Sequence, residues 1–156
     1  MCNMKDLSFN IRVYGLFIRA GKVLVTDEFR LGTYMTKFPG GGLEPGEGTR
    51  DCLRREIEEE MGIHVETGAH FYTTDFFQLT RLLPVPQQLI SIYYRVDSTE
   101  LDQLKISNTI NDIAETEGAQ SFRWISISES DPDAFTFPID RLVFTKLKES
   151  ESANAG

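Results

Sequence analysis

Apolar and polar positions change their period several times along the chain, and each change marks an element. Residues 9–19 (FNIRVYGLFIR) and 22–28 (KVLVTDE) are rich in β-branched and aromatic side chains, and Ala20-Gly21 between them predicts a hairpin. Residues 29–37 (FRLGTYMTK), with polar and aromatic tips, are expected to form a connection, after which Phe38-Pro39 ends a short strand and opens a glycine loop. The period then becomes helical, because Leu53, Ile57 and Met61 recur every four residues as an apolar stripe. Gly62 is placed to end that helix as a left-handed cap.

Downstream, residues 64–80 and 88–97 read as a pair of strands, with Pro84 and Pro86 punctuating the connection. Residues 98–121 are polar, acidic and free of aromatics, which predicts a mobile loop with a short helical piece. A strand at 122–127 (FRWISI) and an amphipathic helix at 139–149 follow, and 151–156 is expected to be a disordered tail. There is no internal repeat. Strands, helix, strands, helix predicts one α+β domain over residues 1–150, a mixed sheet between helices.

Composition narrows the function classes. A net charge of −8 disfavours a non-specific grip on long nucleic acid, since that affinity comes from cations neutralising phosphates. No apolar run approaches the roughly 20 residues of a membrane helix, and MCNMKDLSFN lacks a signal-peptide core, so a cytoplasmic location is expected. Cys2 and Cys52 offer neither a disulfide framework nor metal-ligand spacing. Cys52 reads as a small residue at the helix–sheet boundary.

The chemistry concentrates in residues 41–63, GGLEPGEGTRDCLRREIEEEMGI. Glu56, Glu59 and Glu60 are spaced i, i+3 and i, i+4, so on a helix their carboxylates project from one face, beside the apolar stripe, and can converge on a cation. Like charges at that spacing cost about 0.2–0.5 kcal/mol per pair, which a hard divalent ion would offset. All-oxygen ligation suits Mg2+, with Mn2+ as a substitute, and leaves coordination positions for phosphate. A Glu-rich amphipathic helix can also be only a solvated face. The glycines ahead of it let a backbone approach a ligand closely.

With Gly41, Glu47, Arg55-Glu56, Glu59-Glu60 and Gly62-Ile63 at their positions, the segment resembles the Nudix box, G-x5-E-x7-R-E-U-x-E-E-x-G-U with U aliphatic. The flanking Pro39 to Glu47 stretch is also similar to that family. The resemblance implies a Nudix-type α/β/α sandwich and a magnesium-dependent hydrolase that cleaves a phosphoanhydride in a nucleoside diphosphate linked to another group. It implies Glu56, Glu59 and Glu60 as metal ligands, with the Gly40 carbonyl as a further one. Arg55 would orient the glutamates, Glu47 would stand behind them, and Gly41 and Gly42 would meet the substrate.

The family often adds an acid from a loop before a tryptophan-bearing strand, which makes Glu115 and Glu117 the candidates and Asp112 a weaker one. Arg30, Tyr34 and Lys37 lie where many members contact substrate, and a guanidinium there could pair bidentately with phosphate. Phe76, Phe77, Tyr93 and Tyr94 could stack on a base, although aromatics on strands are more often core. His64 and His70 read as structural. The window Gln78-Leu79-Thr80-Arg81 carries neither the Pro nor the Tyr that marks substrate subgroups, so no substrate label follows. Homodimers are common in the family, so pairing is allowed for. Two other functions stay open: a nucleotide-sensing domain without turnover, and an RNA 5′-end pyrophosphohydrolase, the latter weakened by the acidity and the absence of a basic patch.

Overall fold

In the computed structural model, which describes residues 3–154, the first strand β1 (Phe9–Arg19) divides its side chains between two faces. Val13 and Phe17 pack into one buried cluster, and Tyr14 and Leu16 into another. The chain turns at Ala20 and Gly21, both at positive φ (50° and 75°), and returns as β2 (Lys22–Arg30). Residues 29–37 are not a connection. β2 turns at Leu31 and Gly32 (φ 51° and 73°) into β3 (Thr33–Lys37), a second two-residue hairpin. The aromatic tips form a cross-strand pair instead, with the Phe29 and Tyr34 rings edge-on at 5.1 Å.

β4 (Gly40–Gly42) pairs antiparallel with β1 and leads into helix α1 (Thr49–Met61). At Gly40 a Cβ would stand 2.1 Å from the Val13 carbonyl oxygen, so only glycine permits this close pairing. The Asp51 carboxylate accepts from the Gly48 N–H at 3.0 Å at the start of α1, and Gly62 (φ 67°) caps its end as expected. β5 (Glu66–Thr73) and β6 (Gln88–Asp97) follow, then β7 (Gln120–Ser126) and α2 (Pro138–Asn154).

The sheet runs β3-β2-β1-β6-β5, with β4 also on β1 and β7 also on β2. β1 and β6 are parallel, in register from Phe9 opposite Gln88 to Phe17 opposite Val96; the other pairings are antiparallel. α1 lays Cys52, Leu53, Ile57 and Met61 on one face, against Val13, Phe17, Leu24 and Val96. α2 lays Ile139, Val143, Phe144 and Leu147 on the other, against Leu16, Val23, Val25 and Phe38. Each fully buried Leu or Ile contributes about 1.5–3 kcal/mol, so the two stripes hold the helices to the mixed sheet as an α/β/α sandwich.

Two further expectations change. Residues 98–121 contain the short helical piece, a 3-10 turn at Leu101–Gln103, but hydrogen bonds pin the segment to the sheet. Buried Asp27 accepts from Arg123 Nε (2.6 Å), Thr36 Oγ1 (2.6 Å) and the Asn111 N–H (3.3 Å), and the Gly118 N–H donates to the Phe29 carbonyl (2.9 Å). The tail expected at 151–156 continues α2 as far as Asn154, where Glu151 accepts from Arg95 at 3.0 Å. Residues 155–156, like Cys2, lie outside the described residues. Among the described residues no helix is long and apolar enough to cross a membrane.

Candidate active site

α2 begins at Pro138 and covers only part of its face of the sheet. Toward the start of β1 that face carries Asn10, Arg12 and Tyr14, flanked in register by Ser91 and Tyr93 of β6, and together they floor a cleft of about 520 Å³. Gly41, Gly42, Glu56 and Glu60 form one wall. The connection 78–83 and the residues Phe137–Asp140 at the start of α2 form others, and Glu28, Arg30 and Glu117 line the remaining side.

Glu60 turns inward from α1. Its Oε2 is buried without a hydrogen-bond partner among the described residues, and burial pushes its carboxyl up to about 7 against the pull of Lys37, with Glu28 and Glu56 adding to the rise. Glu56 lies against β4, where a Cβ on Gly41 would come within 2.4 Å of its carboxylate; the missing side chain is what lets the acid sit there. Arg55 is a hub of hydrogen bonds. It donates to Glu47 (2.7 and 3.0 Å), Glu56 (2.9 Å), Glu59 (3.3 Å) and the Gly42 carbonyl (3.0 Å). The hydrogen bonds from Arg55 hold the Glu47 carboxyl down at about 2, assisted by the Glu44 N–H.

Not every predicted residue reaches the cleft. Glu59 is turned onto Arg55 and is absent from the lining, and the Gly40 carbonyl accepts from Lys37 at 3.4 Å. Among the described residues no three His, Cys, Asp or Glu side chains stand close enough to hold one ion as placed. The donor set nevertheless fits a hard divalent cation: a buried carboxylate oxygen without a partner on Glu60, Glu56 cradled beside it, and oxygen donors throughout. Of the loop acids, Glu117 lines the cleft and accepts from the Leu31 N–H at 2.9 Å. Glu115 instead accepts from the Tyr34 hydroxyl at 3.3 Å, and Asp112 from Ser107 at 2.7 Å.

Arg30 lines the cleft with its Nε bound to Glu28 at 3.1 Å, whereas Tyr34 does not line it. Tyr93 is on the cleft floor. Tyr94 faces the other way, its hydroxyl 2.6 Å from that of Thr49. Phe76 and Phe77 are exposed, and the His70 ring bonds Thr73, a local contact. The Cys52 thiol is buried and pushed up to about 12, chiefly by burial, so it stays protonated beside the glycine carbonyls.

Sequence reasoning missed Arg12, Tyr14, Glu28 and Asp140. A signal was present for three of them: Asn10, Arg12 and Tyr14 alternate as polar or amphipathic positions on a strand whose later residues are apolar. Asp140 falls on the α2 stripe that Val143, Phe144 and Leu147 otherwise fill. The Gln78 to Arg81 window, which carried no substrate label, lies in the cleft wall.

A mixed sheet between two helices, with the acids of one helix and a glycine strand facing a cleft that cations also line, defines an α/β/α sandwich with a mixed-charge cleft. The sequence model of the NUDIX domain matches residues 9–146, and the chain belongs to that family. Membership implies hydrolysis of nucleoside diphosphate derivatives.

Solved structures agree on the fold. The E. coli ORF135 protein superposes with a TM-score of 0.68 at 19% identity, covering 97% of both chains. A MutT protein from Methanosarcina mazei Go1 gives 0.66 at 21% identity, covering 94% of this chain and 97% of its own. A NUDIX hydrolase from Nitrosomonas europaea gives 0.64 at 19% identity, covering 90% of this chain and 89% of its own. No curated protein sequence matches the chain.

Proposed function

We propose that this chain is a magnesium-dependent hydrolase that cleaves a phosphoanhydride bond in a small nucleoside diphosphate derivative: a nucleoside triphosphate, a nucleotide sugar or an ADP-ribose type compound. The observation that carries the reading is Glu60, whose partnerless buried oxygen stands beside Glu56 in a cleft that also holds Arg12, Arg30 and Lys37. Buried acids next to cations suit a ligand that brings both metal and phosphate.

A bound Mg2+ would polarise the phosphate oxygens and lower the pKa of a water. Glu56 and Glu60 would hold the ion, with Glu59 able to join once released from Arg55. Arg55 fixes the rotamers of Glu47 and Glu56 and so keeps the donors in place. Glu56 or Glu117 would take the proton from the attacking water, a role worth about 10²–10⁴-fold in rate. Loop 78–83 and the start of α2 wall the cleft. A cytoplasmic location completes the reading.

The test is a screen for phosphate or pyrophosphate release across nucleoside triphosphates, ADP-ribose, dinucleoside polyphosphates, nucleotide sugars and NADH, with and without Mg2+ or Mn2+. Release that requires the metal is expected from at least one class. A nucleotide-sensing domain is the second reading, favoured by one observation, the capture of Glu59 by Arg55. It predicts tight nucleotide binding with no release in any arm. Turnover confined to capped or triphosphorylated RNA would replace both.

A further inference from the structure

We propose that Arg12, outside the acidic motif, grips a substrate phosphate directly and without the divalent ion. This inference rests on the nucleotide reading of the same cleft. Four cationic side chains line that cleft, and they are not equivalent. Lys37 is spent on Glu28 and on the Gly40 carbonyl, each at 3.4 Å, and Arg30 is spent on Glu28 at 3.1 Å. Arg81 has no ion pair or hydrogen bond among the described residues, but it sits on an exposed connection. Arg12 is on a central strand, between β4 and β6, opposite Gly42 and Ser91.

Only one of its nitrogens is used. Arg12 Nε donates to the Tyr14 hydroxyl at 2.6 Å, and neither terminal nitrogen makes a hydrogen bond or ion pair to a described residue. The Tyr14 tether and the rigid strand fix the direction of the fork. Its open side faces β4, where a Cβ on Gly42 would stand 3.7 Å from Arg12 Nη1, so the glycine leaves room in front of the guanidinium. A half-buried guanidinium with free N–H groups costs folding free energy unless a ligand or water completes it. A planar fork of that kind matches phosphate oxygens, and mounting it on a strand spares the ordering cost a loop would bring. Glu28 and Glu56 lie near enough to raise its pKa further, the Tyr14 hydroxyl acting first, so it is a fixed cation.

The rival role is to balance those carboxylates without touching substrate. Binding without metal separates the two roles. Inorganic tripolyphosphate, which has no base, is titrated calorimetrically in chelator into the wild type, Arg12→Gln, Arg12→Lys, Tyr14→Phe and Arg54→Ala. Arg54 is on the exposed side of α1, paired among the described residues only with Asp51 at 3.7 Å, and its removal makes the same change in net charge.

The wild type should bind and Arg12→Gln should bind at least about tenfold more weakly, as expected for loss of a charge-assisted hydrogen bond. Arg12→Lys and Tyr14→Phe should lie between, and Arg54→Ala should match the wild type. Tyr14→Phe keeps the cation and loosens only its aim, so it decides the matter if Arg12→Gln melts early. Wild-type binding unaltered in Arg12→Gln, no wild-type binding, or an equal loss in Arg54→Ala would each overturn the proposal. A silent release screen with Arg12-dependent tripolyphosphate binding would sink the hydrolase reading and leave this one standing.

Discussion

Asp140 on α2 is a carboxyl on an apolar stripe, 3% exposed, and its titration should be readable in the stability of the whole domain. Burial pushes it from 3.8 up to about 6, against the hydrogen bond from the Tyr93 hydroxyl (2.6 Å) and the attraction of Lys37 and Arg12. A raised acid binds its proton more tightly folded than unfolded. Its contribution is therefore most favourable below pH 3.8, declines as pH rises toward 6, and is lowest above that.

Two pH units at 1.36 kcal/mol each make a swing of about 3 kcal/mol. Asp140→Asn keeps an oxygen to accept from Tyr93 and cannot ionise. Any cost of burying its amide is the same at every pH, so it drops out of the comparison. Urea unfolding of wild type and variant from pH 4 to pH 8 should show the variant gaining about 2.5 kcal/mol of that swing on the wild type, worth about 5–10 °C in Tm for a chain of this size. A difference in stability that stays flat with pH, or that moves the other way, would refute the argument that burial controls this carboxyl.

Other expectations follow from the same geometry. Arg55→Ala should return Glu47 from about 2 toward its ordinary 4.5. The stabilisation that Glu47 supplies is full above 4.5 and is lost as pH falls toward 2, so acid titrations of the variant should lack that part of the unfolding limb. Gly41→Ala would force the Glu56 carboxylate away from a Cβ 2.4 Å from it; metal-dependent activity should fall by more than tenfold while the melting temperature changes little, and full activity would deny Glu56 its place. Glu60→Gln should cut metal-dependent turnover by about 100-fold or more with the fold retained, checked by activity beside circular dichroism. Leu53→Ala, at a fully buried position under α1, should cost about 2–5 kcal/mol in chemical denaturation.

The acidic helix was legible because everything that defines it is local. Stripe, cap, arginine and glutamates lie within a few turns, and helical spacing turns sequence separation directly into angle. The first hairpin was legible from Ala20-Gly21, whereas the second, although its turn carries Gly32, was missed because Phe29 and Tyr34 read as loop aromatics until strand pairing brought them together. The loop at 98–121 read as mobile because its anchors, Asp27 and Arg123, belong to other elements.

By itself the sequence determined the family, the order of elements, the apolar mounting face of α1 and the segment that carries the acids. Tertiary structure decided which acids share a space: Glu60 and Glu56 enter the cleft, while Glu59 is drawn onto Arg55. It also decided that Arg12, Glu28, Glu117 and Asp140 meet there. These residues come from a strand floor, a hairpin, a distant loop and the last helix, and the parallel pairing of β1 with β6 sets two segments far apart in sequence side by side. Side-chain period is a local property of the backbone, whereas burial, charge pairing and the open fork of Arg12 depend on what long-range packing places opposite each side chain.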